Sequence, residues 1–494
     1  MYFSLLTAMT RSSTARDLLP MVLDGRAKPA ASLALATLEG MGSLRHGEEA
    51  VELASLAADL MLAQDCPEDA EDLHRQALVA ASTSPRGQVR VISCRNIGML
   101  SLYQRRFGAA ANSFQRVIED DAATLAQQVE ALAGLTLTHH ALGRHDMATH
   151  ALDEAASRLD GTSIDGLMPA VASLRLFVRV IRVELSVQYA IRTNTALADH
   201  VFWQSEMVFA GTRRDDADLL TELQACLAAS VGHALLTQRL AHLVALVRAG
   251  MGQTRALVSM HEYLAWLRRM HLAAPEREGR LEAALVAISA HSPELARSLL
   301  EPLGSRQDEG PQRWNFELSY CRAKLCEMTG QNEECHRHYQ RYALESARCL
   351  RSEAQVSAPA AAVAAKNRVA ETRDETELAL PAKYRRAYRY LLAQMDRADL
   401  SVREIAEHIG VSERAVQSAF RAHLGMTSVE VLRRCRVERI RDDLLSAEGC
   451  GPTVIETAAR WGIRNRSTLV SSYRKHFRET PADTLARRDV PVQA

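Results

Sequence analysis

The stretch Leu400-Ser401-Val402-Arg403-Glu404-Ile405-Ala406-Glu407-His408-Ile409-Gly410-Val411-Ser412-Glu413-Arg414-Ala415-Val416-Gln417-Ser418-Ala419-Phe420 encodes two helices and the turn between them. Val402, Ile405, Ala406 and Ile409 recur at i, i+3, i+4 and i+7, which lays one apolar stripe along a helix. Gly410 ends that helix, because glycine takes a positive φ without a steric penalty. Ser412 is placed to cap a second helix running to about His423. In that second helix Val416 and Phe420 turn inward, while Arg414, Gln417, Ser418 and Arg421 share the opposite face. Two short helices about a glycine turn, the second with an exposed polar stripe, make a helix-turn-helix. The second helix of such a unit lies in the major groove, where its side chains meet base edges.

The same layout returns about 50 residues downstream. Thr453 to Trp461 forms a first helix with Val454, Ala458 and Trp461 inward, and Gly462 begins the turn. A second helix follows from about Arg466 to Phe477, with Leu469, Tyr473 and Phe477 facing a core. Its outward stripe is Ser467, Val470, Ser471 and Arg474, and Arg464, Asn465 and Arg466 cluster at its start. Val470 suits a thymine methyl, and the hydroxyls suit bases or phosphates. Between the two units, Ser428 to Ala447 reads as one long helix buried along Leu432, Cys435, Ile440 and Leu444. A stiff rod joining two readers fixes their separation, on one duplex face about one turn or ~34 Å.

This C-terminal segment, Tyr384 to Leu485, resembles the AraC/XylS family of bacterial transcription regulators. The resemblance rests on Ile405-Ala406, Gly410, Ser412, Phe420, Leu424-Gly425, Leu432-Arg433, Arg436, Leu444-Leu445, Ala458, Gly462, Ser467, Phe477 and Thr480-Pro481, in that order. It implies that two recognition helices read adjacent major-groove segments. By position it places base readers at Arg414, Gln417 and Ser418 in the first helix, and at Ser467 and Ser471 in the second. Ile463, Leu469 and Tyr473 stand where the family usually has Phe, Ser471 where Arg is common, and Arg478 where a Gly usually ends the last recognition helix. The segment Ala459 to Ser467 is similar to the Hrp-type activators of type III secretion genes in plant-pathogenic proteobacteria, regulators of about this size. That likeness implies activation from a plant-inducible-promoter-type element with two short direct repeats, and RNA polymerase as a partner.

Charge supports a nucleic-acid partner. From Pro381 to the end there are 21 Lys+Arg against 14 Asp+Glu, and 19 of the 21 are arginine. The preceding 380 residues carry 39 basic and 46 acidic groups. Arginine's planar fork grips phosphate and guanine edges, so an Arg-rich end on an acidic body is an electrostatic footprint for DNA.

Upstream, from residue 30 to about 350, apolar residues recur at helical spacing with no alternating runs. Breaks fall at Asp65-Cys66-Pro67, Arg105-Arg106-Phe107-Gly108, Leu142-Gly143-Arg144 and Met328-Thr329-Gly330. Small residues sit where paired helices would cross: Ile97-Gly98 before Ala110, Phe114 and Val117, and Leu135 before Ala148, Leu152 and Ala155. Ala70 with Ala77, and Cys335 with Tyr339 and Tyr342, are weaker copies. Ala70, Ala110 and Ala148 lie 40 and 38 residues apart rather than the ~34 of a strict tetratricopeptide (TPR) repeat. The expected fold is therefore all-α: a TPR-like helical-repeat region at residues 1–352 that senses an effector or binds a partner, a linker at 353–380, and a double helix-turn-helix DNA-binding domain at 381–488. Unrelated helical hairpins in one bundle are the alternative for the first region. A protein or small-molecule effector, or a second copy of the chain, would suit a helical-repeat groove.

Composition excludes other classes. No run of 18 apolar residues exists, and the mildly apolar Met1 to Met9 lacks a basic lead and a cleavage site, so the expected place is the bacterial cytoplasm, on the nucleoid. Nine cysteines without a CxxC pair argue against a disulfide framework. Cys321, Cys326, Cys335 and Cys349 with His336 and His338 match no familiar zinc spacing, and small packed thiols are the alternative to a metal or redox role. No nucleotide loop, dinucleotide fingerprint or HExxH occurs, so neither an enzyme nor a cofactor is expected. A helical scaffold without operator specificity is the competing function, and it leaves the paired readers unexplained. Solvated surface remains the plain alternative for Arg414, Gln417 and Arg474, and capping for Ser467 and Ser471. For Arg433, Arg434 and Arg436, phosphate contact stands beside surface or buried-pair roles.

Overall fold

Helices without strands make up the described residues, as an Ala- and Leu-rich, aromatic-poor chain favours. The computed structural model describes residues 2–41, 47–160, 168–203, 216–253, 256–306, 312–353, 380–446, 454–463, 465–477 and 479–488. Contacts divide the chain into two units, Met1–Ala358 and Pro359–Ala494.

In the first unit the helices are α1 Phe3–Leu6, α2 Ser13–Asp17, α3 Leu19–Leu23, α4 Ala27–Gly40, α5 Glu48–Ala63, α6 Pro67–Ala80, α7 Arg86–Tyr103, α8 Phe107–Ile118 and α9 Leu125–Ala141. They continue as α10 His145–Asp160, α11 Met168–Arg192, α12 Asp216–Ala229, α13 Ala234–Gly250, α14 Ala256–Arg269, α15 Ala273–Ser289, α16 Pro293–Leu300, α17 Phe316–Met328 and α18 Asn332–Glu353. One kind of turn joins successive pairs. Gly25, Asp65, Arg105 and Gly143 all hold φ between 58° and 79°, at spacings of 40, 40 and 38 residues. After each, the next N–H donates to the carbonyl five residues back: Arg26 to Met21 (3.0 Å), Cys66 to Met61 (2.9 Å), Arg106 to Ser101 (2.8 Å) and Arg144 to His139 (3.0 Å). This bond ties up a helix-end carbonyl and turns the chain back on itself. Gly252, His291 and Gly330 repeat the turn at 39-residue spacing. A helix pair closed the same way every 38 to 40 residues is a repeat stack with a longer period than the TPR.

Packing between pairs depends on missing side chains. A Cβ on Gly98 of α7 or Gly134 of α9 would lie 2.7 or 2.5 Å from the Phe114 ring of α8, so both glycines are required for the ring to sit between three helices. Ala70, Ala110 and Ala148 are fully buried, as their crossing positions demand. Two details differ from the sequence reading. Ile97 is half exposed, because Gly98 makes the close approach alone. On α18 Tyr342 is buried but Tyr339 is exposed, so that copy does not share the register of the others. The apolar N-terminus reads as core, with Tyr2, Phe3, Leu5, Leu6 and Met9 all buried.

Two arginines organise buried charge. Arg95 bonds Glu130 through Nε (2.6 Å) and Asp59 through Nη1 (2.9 Å), and Arg11 adds a 2.7 Å bond to Asp59. Arg239 bonds Glu282 and Glu184, each at 2.7 Å. Pairing of this kind makes a buried charge tolerable. Among the described residues no helix is long and apolar enough to cross a membrane, and no three metal-ligating side chains converge. Burial pushes the Cys349 thiol up to about 12 and the Cys321 thiol well above its usual range, so both stay protonated.

The second unit contains α19 Ala382–Ala393, α20 Val402–His408, α21 Glu413–Leu424, α22 Ser428–Ser446, α23 Val454–Arg460, α24 Arg466–Phe477 and α25 Pro481–Arg488. It has two small cores strung along α22. Val431, Leu432 and Cys435 join the first with Tyr388, Ile405, Val416 and Phe420. Val437, Ile440 and Leu444 join the second with Ala458, Ile463, Leu469 and Tyr473. Thr453, expected to open α23, lies outside the described residues, as do Arg464 and Arg478.

Candidate nucleic-acid interface

Local chemistry builds the two helix pairs α20/α21 and α23/α24 alike. Ser401 caps α20 by accepting the Glu404 N–H (3.2 Å), and Ser412 caps α21 by accepting the Ala415 N–H (3.3 Å). Between them Gly410 has φ +63°, and the N–H of Val411 donates to the Ala406 carbonyl at 3.0 Å. In the second pair Gly462 has φ +75°, and the N–H of Ile463 donates to the Ala458 carbonyl at 2.9 Å. Asn465 caps α24, its Oδ1 accepting the Ser467 N–H at 2.9 Å. The rod between the pairs opens with a capping box: Glu430 N–H donates to Thr427 Oγ1 (3.2 Å), and Thr427 N–H donates to Glu430 Oε2 (2.9 Å).

These caps and cores present the expected stripes to solvent. On α21, Arg414, Ser418 and Arg421 are exposed while Val416 and Phe420 are fully buried. Gln417 is half-buried, and its Oε1 is shielded without a hydrogen-bond partner. On α24, Arg466, Ser467, Ser471 and Arg474 are exposed and Val470 is half-buried, over buried Leu469 and Tyr473. Among the described residues Arg414, Arg421, Arg466 and Arg474 make no ion pair, so their donors are available to an external anion. The two hydroxyls of α24 are partly engaged. Ser467 Oγ donates to Asn465 Oδ1 (2.7 Å), and Ser471 Oγ donates to the Thr468 carbonyl (3.2 Å).

What joins the pairs is the part that sequence reasoning left open. Arg436, near the middle of α22, is buried; its Nε donates to the Met395 carbonyl (2.7 Å) and its Nη2 to the Arg397 carbonyl (2.5 Å). The same guanidinium abuts Gly462, where a Cβ would come within 2.9 Å of Nη2 and 3.0 Å of the Asp396 carbonyl. Arg436 thus pins the loop before α20 and backs the turn before α24. Burial lowers its pKa from the usual arginine value, the mark of a cation held by carbonyls rather than by a carboxylate. Trp461 packs against both cores and donates Nε1–H to Asp443 of α22 at 2.8 Å. By contrast, Arg433 and Arg434 are exposed, and Arg434 pairs with Glu438 at 2.9 Å. The Asp443 contact carried no motif to reveal it; the Thr427-x-x-Glu430 box did, as a capping signature.

Comparison with known proteins accords with this geometry. A family model described as a helix-turn-helix domain matches residues 405–487. The regulatory protein HrpB of Ralstonia nicotianae is 38% identical over 442 residues, covering 87% of this chain and 88% of its own. The probable thc operon regulatory protein of Rhodococcus erythropolis is 34% identical over 119 residues, 24% of this chain and 35% of that one. The XylDLEGF operon transcriptional activator 1 of Pseudomonas putida is 31% identical over 90 residues, 18% of this chain and 27% of its own. No solved structure matches the chain.

Proposed function

The chain belongs to the AraC/XylS family of DNA-binding transcription regulators, in the group of the regulatory protein HrpB, and from that premise we propose that it activates type III secretion genes. The carrying observation is the pair of like helix-turn-helix units yoked by α22, each with unpaired arginines on its outer face. In this reading Arg414 takes guanine O6 and N7, and the unsatisfied amide of Gln417 turns to an adenine edge. Ser418, Ser467 and Ser471 give short-range base or phosphate contacts, and Arg421, Arg464, Arg466 and Arg474 grip phosphates. The operator is a promoter element with two short direct repeats about one helical turn apart.

The domain plan that serves this reading is an effector- or partner-responsive region at 1–352, a linker at 353–380 and the DNA reader at 381–488. The protein acts without catalysis in the bacterial cytoplasm, on the nucleoid, recruiting RNA polymerase, and a second copy of the chain is a candidate partner. The test is fluorescence anisotropy of the full chain on a duplex carrying the direct repeats and on a scrambled duplex, across a salt series. Specific binding predicts a clear preference for the first, and a steep loss with salt on both as counterions are released. Equal affinity for the two duplexes rejects the operator reading. Mapping the genomic fragments bound by the protein then tests the type III secretion assignment separately.

A further inference from the structure

Amid α7, α9, α11, α15 and α17 of the helical unit lies a cavity of about 190 Å³. Phe3, Leu6, Phe107, Ile181, Leu185 and Phe316 supply apolar wall. An engineered apolar cavity of about 150 Å³ takes up benzene, so this one admits a ring-sized body with a small polar head.

The polar groups on the wall fall into two sets. Glu317 is held by Arg192 at 2.8 Å, and Glu184 and Glu282 by Arg239 at 2.7 Å each, so these carboxylates already have cations. The other set is short of partners. Arg105 reaches the cavity from a left-handed backbone position at φ +58°, donates one bond to the Trp314 carbonyl (2.7 Å), and makes no ion pair among the described residues. Burial lowers its pKa from the usual arginine value, the cost of a guanidinium removed from water without a counter-charge. Gln188, 6% exposed, has its Nε2 without an acceptor. His140 and His200 line the same space with both ring nitrogens unpartnered, and burial keeps them neutral, His200 at about 4.

We propose that this cavity binds a small organic monocarboxylate with an apolar body, its carboxylate held by Arg105 and the Gln188 amide and its body seated among Phe3, Phe107 and Phe316. A carboxylate matches the planar fork of an unpaired guanidinium, whereas an amine would compete for carboxylates that arginines already occupy. The proposal goes beyond DNA reading, and its binding step stands whether or not the operator reading does.

Isothermal titration calorimetry of the full chain tests it, with phenylacetate and hexanoate as probes, phenylacetamide as the neutral isostere and phenethylamine as the cation. The expected result is one-to-one binding of an acid, at least about tenfold tighter than the amide. Arg105→Asn removes the guanidinium with a residue that tolerates the left-handed backbone, and it loses roughly tenfold or more in acid affinity. Arg105→Lys retains part of it. Should Arg105→Asn fail to fold, Gln188→Leu is read in its place and weakens the acid several-fold. Acids that bind no better than the amide, a preference for the amine, or an Arg105→Asn chain that folds and binds acid as the parent does, each overturns the proposal. Operator binding measured on the same samples separates the two readings: loss of acid binding with operator preference intact rejects only this site, and the converse rejects only the operator.

Discussion

The two helix-turn-helix units use the same turn in different surroundings. Gly410 and Gly462 are 52 residues apart and share a positive φ, whereas the buried pairs Val416/Leu469 and Phe420/Tyr473 are 53 apart. The second turn is therefore one residue longer, and the outer faces align as Arg414 with Ser467, Gln417 with Val470, Ser418 with Ser471 and Arg421 with Arg474. The first helix offers a long cation and an amide where the second offers a hydroxyl and a methyl-bearing side chain. A Cβ at Gly410 would meet open space, while one at Gly462 would meet Arg436 and the Asp396 carbonyl. Duplicated architecture has thus diverged in role: the first unit has the reach for base reading, and the second is built into the joint.

The strongest way to break that asymmetry is at the joint. Arg436→Ala leaves the Met395 and Arg397 carbonyls without their donor and is expected to destabilise the unit by about 3 kcal/mol. Denaturant melts would show that loss, and operator affinity would fall although no DNA-facing side chain has changed. Unchanged stability would mean that Arg436 is not the pin. The glycines give the next contrast. Gly410→Ala carries only the strain of a left-handed alanine, about 1 kcal/mol, whereas Gly462→Ala adds a collision with backbone and should cost about 2–3 kcal/mol. Equal costs in thermal unfolding would remove the distinction between the two turns.

Smaller effects test the readers themselves. Arg414→Ala is expected to cost about 1–3 kcal/mol at one base pair and to relax specificity there, read as affinity across a panel of single-base operator variants. Ser471→Ala should cost under about 1 kcal/mol, because its hydroxyl proton already goes to the Thr468 carbonyl. A larger loss for Ser471 than for Arg414 would reverse the assignment of roles. Last, Arg474→Ala should weaken binding alike on all sequences and lower the slope of log affinity against log salt by about 1. A slope that does not move would place Arg474 off the phosphate backbone.

Much of this was legible because local chemistry dictated it. Gly410, Ser412 and the Val416/Phe420 spacing specify one turn and two helix faces, and the structure has them where the pattern puts them. The α22 edge of Leu432, Cys435, Ile440 and Leu444 was readable for the same reason. Arg436 was not, since a buried arginine whose acceptors are carbonyls 39 and 41 residues away looks like any helix-surface arginine in sequence. Arg105 was hidden similarly: a charged residue in a left-handed turn gives no periodic signal, and its cavity is assembled from helices far apart in the chain. Ile97 misled because an exposed isoleucine beside a buried glycine resembles a core position when only the hydropathy pattern is read.

One aromatic ring in the helical unit has a consequence for how that unit comes apart. Phe114 occupies space vacated by glycines on both neighbouring helices, so α7, α8 and α9 cannot separate without exposing the same ring. A stack coupled by shared side chains melts as a block, whereas one coupled by weak seams frays from its ends. Residues 86–141 should therefore exchange their amide hydrogens together and last, as the slowest-opening segment around which the outer hairpins fluctuate.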